Sequence, residues 1–190
     1  EFQKIYFKTF LDYIDIKDNE IITHILNATK ELIMKNDKEK NNLDFYLESL
    51  EQKTGKNKNY WYTTFFDYYE NAFPNLKKFV EPNFKLIDKI KNTNNKLIFA
   101  SNPVFPEVAV KHRIGFIDMS IEDFYYISYM ENSHFCKPNP NYFKEILENL
   151  NINPNECVMI GDTDFDKASL KAGINFIHVS EEEKWEKLFI

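Results

Sequence analysis

Three short apolar runs constrain this chain more than any other feature: residues 96–100, 157–160 and 174–179. Each has the length of a strand and lacks the polar alternation of a half-exposed one. Helical patterns separate them, at 104–113, at 140–150 with Pro140 near the first turn, and at 164–172 with Gly173 as the stop. Residues 125–128 are also β-prone. Continuous apolar strands alternating with helices predict an α/β fold with a Rossmann-like parallel sheet, flanked by helices on both faces.

The chain before this region has a different texture. Phe2, Ile5, Tyr6, Phe10, Tyr13 and Ile14 recur every three or four residues, as on one helix face. Asn19 is placed to cap a second helix whose buried side carries Ile21, Ile22, Ile25, Leu26 and Leu32. A polar stretch, 35–42, breaks the pattern before a third helix over 43–52. A fourth, very aromatic helix covers 60–73, and Pro74 helps end it. The expected division is therefore an all-helical unit over 1–78 and an α/β core over 79–190. An amphipathic helix at 84–91 opens the core, and an acidic one at 181–189 closes it.

Composition narrows the function. The net charge of −6 over 190 residues argues against nucleic acid as the main partner. No apolar stretch approaches the roughly 20 residues that span a bilayer, so no membrane partner is expected. Cys136 and Cys157 have neither zinc-site nor disulfide-framework spacing, and a reducing cytoplasmic location is the default expectation. His24, His112, His134 and His178 are scattered and read as structural or surface residues. Oligomeric state is open.

In an open parallel sheet, ligands bind beyond the carboxyl ends of the strands. Three polar groups fall there. Asp162, Asp164 and Asp166 follow the run ending at Ile160, after the tight-turning Gly161. Magnesium takes hard oxygen ligands, commonly one or two carboxylates with water and phosphate. Helix capping explains one or two of these acids, but crowding three like charges requires something to neutralise them. Ser101 and Asn102 follow the first run, where a hydroxyl and free N–H groups ahead of a helix can hold a phosphate oxygen, or simply cap it. Lys137, before Pro138, can offset the charge of carboxylates and phosphate, or stand as a solvated surface lysine.

Taken in order, Leu97-Ile98-Phe99-Ala100-Ser101-Asn102, then Cys136-Lys137-Pro138, then Val158-Met159-Ile160-Gly161-Asp162 with Asp166, the chain resembles the haloacid dehalogenase-like hydrolase superfamily. The likeness covers roughly residues 81–179. It implies that Ser101 binds phosphate, with Asn102 in support, that Lys137 stabilises the anionic cluster, and that Asp162 and Asp166 hold Mg²⁺. Ser101 and Lys137 are thus the catalytic candidates, and residues 1–75 look like the helical cap of such enzymes. The implied activity is hydrolysis of a small phosphorylated substrate through an aspartyl-phosphate. Dehalogenation and phosphosugar mutation belong to the same superfamily and are the alternatives; dehalogenation needs no metal to bridge a phosphate, so two acids in the last motif favour phosphate chemistry over it.

One motif is absent. The family's first strand ends in DxDxT, whose first Asp is the nucleophile. The nearest stretch, Phe116-Ile117-Asp118-Met119-Ser120, lacks the second acid and lies between the wrong motifs. Removing a central strand leaves unpaired backbone groups, each costing on the order of 1–3 kcal/mol if buried, against a domain stability of about 5–15 kcal/mol. The expectation is that an extension before Glu1 carries this strand, and that residues after Ser180 are incomplete as well. The alternative class is a non-catalytic phosphate- or ligand-binding protein. Another binding reading uses the rings of Tyr60, Trp61, Tyr62, Phe65, Phe66, Tyr68, Tyr69 and Phe73 as a stacking surface, against which stands ordinary packing between helices.

Overall fold

A computed structural model describes residues 2–16 and 20–189. Four helices come first: α1 (Phe2–Tyr13), α2 (Glu20–Met34), α3 (Asn42–Thr54) and α4 (Lys58–Asn71). The proposed Asn19 cap lies outside the described residues. Asn41 and Asn57 cap α3 and α4 through their side chains. Then follow α5 (Phe84–Lys91), β1 (Ile98–Phe99), α6 (Glu107–Phe116), β2 (Tyr126–Ile127), α7 (Pro140–Leu150), β3 (Val158–Gly161), α8 (Ala168–Lys171), β4 (Asn175–His178) and α9 (Glu182–Trp185).

The helical half is built on aromatic packing. Trp61, Phe65, Tyr68, Tyr69 and Phe73 are all buried, together with Tyr6 and Phe10. The aromatic run therefore faces inward, and among its eight rings only Tyr62 is exposed. The same cluster takes in Ala109 and Phe116 of α6, and Met130 and Cys136. No helix among the described residues is long and apolar enough to cross a membrane.

The strands alternate as a covered parallel sheet demands. Leu97 and Phe99 face α5 and α6, packing with Ile90, Val110 and Ile114. Ile98 and Ala100 face the opposite way, onto Tyr142, Phe143 and Ile146 of α7, where Met159 of β3 also packs. All pairing is parallel.

The sheet itself departs from expectation. Among the described residues it is two separate pairs, β1–β2 and β3–β4, instead of one continuous sheet. Ladder geometry locates the vacant edges. Leu97 O and Phe99 O accept from Tyr125 N and Ser128 N, so Ile98 and Ala100 turn their backbone groups away from β2. Gly161 O accepts from Val179 N, so Ile160 and Val158 turn theirs away from β4. On the vacant edge of β1, Ala100 N has folded back onto Ile98 O at 3.1 Å. The exposed Val158 marks the corresponding edge of β3.

Two helices also differ from their sequence patterns. The helix expected from 104 begins at Glu107, because Pro103 and Pro106 interrupt the approach and Pro106 takes the cap position. Of the helix expected over 164–172, only Ala168–Lys171 is α-helical. Ahead of it the backbone bonds run i to i+3, from Asp166 N to Thr163 O and from Lys167 N to Asp164 O. The Asp166 side chain is drawn out of helical register by other partners. Gly173 ends α8 with φ of +86°, as its position predicts.

Candidate active site

Lys137 joins the carboxyl ends of β1 and β3. Its ammonium donates to Ala100 O at 2.8 Å and to Asp166 Oδ1 at 2.5 Å. Both side chains are buried. The carbonyl of Ala100 points to the vacant edge of β1, so the lysine occupies a position where a neighbouring strand would donate an N–H.

The backbone of Lys137 is clamped by Asn102. Asn102 Oδ1 accepts from Lys137 N at 2.9 Å, and Asn102 Nδ2 donates to Lys137 O at 3.3 Å. The peptide to Pro138 is cis. Asn102, expected to assist phosphate, thus has its amide engaged in placing the lysine.

Asp166 has both oxygens engaged. Oδ2 accepts from Thr163 N at 3.1 Å and from Thr163 Oγ1 at 2.8 Å. This reach back by three residues is the geometry of a helix capping box, so the carboxylate caps and ion-pairs at once. Burial alone would raise its pKa. The Lys137 ammonium and the Thr163 donors outweigh burial and hold the carboxyl below its ordinary value. Gly161 makes room for this. A Cβ there would stand 2.6 Å from Cβ, Cγ and Oδ2 of Asp166.

Asp162 is exposed at the tip of β3. Its carbonyl accepts from Nε2 of His178, the last residue of β4, 3.3 Å away. Asp164 is exposed and paired with Lys167 at 2.6 Å, which keeps its carboxyl low. Among the described residues no group of three or more His, Cys, Asp or Glu is placed to hold a metal ion. Asp118 pairs with Lys77 and has no part in the Lys137–Asp166 network.

Ser101 occupies the turn after β1. Its carbonyl accepts from Ser128 Oγ at 3.0 Å and from Tyr142 OH at 2.8 Å. Those two hydroxyls bond each other at 2.6 Å in the buried core. The Ser101 hydroxyl accepts from Arg113 Nη1 at 3.0 Å, which leaves its own proton for a further acceptor. Arg113 was not visible from sequence. It lies on α6 with its guanidinium over the Phe105 ring, 5.1 Å from the centroid, and it has no ion pair with a carboxylate among the described residues.

Asn42 ties the helical half to both site loops. Fully buried at the start of α3, it donates from Nδ2 to Pro103 O at 3.2 Å and Phe135 O at 3.4 Å. Its backbone N–H donates to Ser133 O at 2.8 Å. The arrangement as a whole places an ammonium already paired with the Asp166 carboxylate, and a guanidinium bonded to a hydroxyl whose own proton is free, near one strand terminus.

A family model described as haloacid dehalogenase-like hydrolase matches residues 2–179. Among solved structures, the chain is similar to a HAD-superfamily hydrolase, subfamily IA, variant 1, from Geobacter sulfurreducens. The identity is 18%, the TM-score 0.45, and the match covers 82% of this chain and 80% of the other. Among curated proteins, none matches.

Proposed function

The chain belongs to the haloacid dehalogenase-like hydrolases, and from that premise we propose that it serves phosphate-ester hydrolysis on a small phosphorylated metabolite. The observation that carries this reading is Lys137 spanning Ala100 O and Asp166, with Ser101 next in the chain. Ser101 would donate its free proton to a phosphoryl oxygen, and Lys137 would offset the negative charge of the group. Residues 1–78 would act as a cap over the core of 79–190.

The reaction needs a nucleophilic carboxylate. We place it on a strand entering between β1 and β3, where both pairs have a vacant edge. Its oxygen would attack phosphorus while the bond to the leaving alcohol breaks. Water would then hydrolyse the aspartyl-phosphate and restore the carboxylate.

Magnesium is the ion expected for such chemistry, but the described residues do not fit it by themselves. Asp162 offers one open carboxylate, while Asp166 is held by Lys137 and Thr163. Six oxygen ligands in near-ideal geometry are needed. The strand carboxylate would have to complete the set.

The test is hydrolysis of an aryl phosphate, with and without Mg²⁺, by this chain and by one with an apolar strand ending in Asp-x-Asp fused ahead of Glu1. Magnesium-dependent turnover by the fused form, lost in its Asp162→Asn variant, is the expected result. No turnover in either form would leave a phosphate-binding protein as the better reading.

A further inference from the structure

A cavity lies beside Arg113, between the first four helices and the segment after Ser101. Its volume is about 320 Å³, within the range of small-ligand pockets. Tyr6, Leu47, Phe65, Tyr69 and Phe105 line it, and among the described residues Arg113 is the one charged side chain on its wall. Three of the hydroxyls at hand already have partners. Tyr6 and Tyr69 bond at 2.9 Å, and Thr29 Oγ1 donates to Ile25 O at 2.8 Å. The cavity therefore has an oily body and a single cationic end.

That end is continuous with the candidate active site. The guanidinium reaches from the cavity wall to Ser101 Oγ at 3.0 Å. Ser101 adjoins Ala100, whose carbonyl holds Lys137. A ligand with its anionic head at Ser101 and Arg113 would run its remainder into apolar space. A sugar or nucleotide would leave its hydroxyls without partners there, at a cost of lost affinity.

We propose that the cavity selects the substrate's leaving group, and that the substrate is an amphiphile: a phosphate monoester of an aryl or medium-length alkyl alcohol. This rests on the phosphatase reading for the reaction, but not for the binding. Arg113 would act as the specificity-determining contact between head and tail.

Equilibrium binding separates the two. The probes are 1-naphthyl phosphate, 1-naphthol, glycerol phosphate and inorganic phosphate, titrated by protein fluorescence on the full chain. Naphthyl phosphate should bind at least about ten-fold tighter than glycerol phosphate. Arg113→Met should weaken naphthyl phosphate about ten-fold and leave naphthol unchanged. Leu47→Trp, which fills the cavity, should weaken both naphthyl compounds while sparing inorganic phosphate; circular dichroism and a melting curve would show whether it folds. If it does not, Thr29→Phe, on the same cavity wall, serves as the second filling variant. Equal affinity for the naphthyl and glycerol esters, or naphthyl binding untouched by a folded filling variant, would overturn the proposal even if phosphatase activity were present. Cavity-dependent binding without hydrolysis by the strand-fused chain would uphold it and defeat the phosphatase reading instead.

Discussion

At the scale of single residues, the Lys137–Asp166 pair dominates. Both groups are buried, so removing either strands the other's charge away from water. Losses of about 3–5 kcal/mol are typical of such half-broken pairs. Lys137→Met and Asp166→Asn should each destabilise by that order in urea denaturation. The double variant should lose much less than the sum, since no lone charge remains. Acid has a related effect. Because the folded carboxyl titrates below its ordinary value, its contribution is fully present above the unfolded value, about 3.9. It is lost as pH falls through the lower folded value. Stability measured from about pH 4 downward should therefore drop, and Asp166→Asn should flatten that part of the slope.

At the scale of elements, the question is what holds the two site loops in place. Asn42 bridges the loops around Pro103 and Phe135 from the start of α3. Replacing it by Ala takes the amide donor from Phe135 O and leaves Pro103 O only the weak Cys136 thiol, at about 1–3 kcal/mol for each carbonyl left unsatisfied. The expected local effect is faster hydrogen exchange at the Lys137 amide, which bonds Asn102 Oδ1, by about ten-fold or greater. An unchanged rate would show that the Asn102 clamp holds without Asn42. Sequence reasoning reached some of these elements and not others, for physical reasons. Ser101, Lys137, Asp162 and Asp166 stand out because residue type and position after an apolar run are local signals. Lys137 and Asp166 do meet, although their contact spans 29 residues of chain. Arg113 and Asn42 gave no such signal. Arg113 reads as an ordinary polar position on α6, and Asn42 as part of a polar break; only tertiary packing brings them to Ser101 and Pro103. The 164–172 helix pattern was misleading because Asp166 serves Thr163 and Lys137 before it serves the helix.

At the scale of the molecule, the helical half and α6 share one aromatic core, while the strands are split into two short pairs. Hydrogen-exchange protection should be greatest across α3 and α4. It should be least on the vacant edge at Ile160, where ladder alternation leaves the amide without a strand partner.

That vacant edge also bears on the protein's behaviour in concentrated solution. A row of unshared N–H and C=O groups is a template for any extended segment, including one from another copy. Light scattering should show association that steepens with concentration. A lysine at the exposed edge position, Val158→Lys, should suppress it, as charge does on natural sheet edges. A strand lodged between β1 and β3 would do the same without a mutation, so the segment that completes the chemistry would also serve as the molecule's solubility tag.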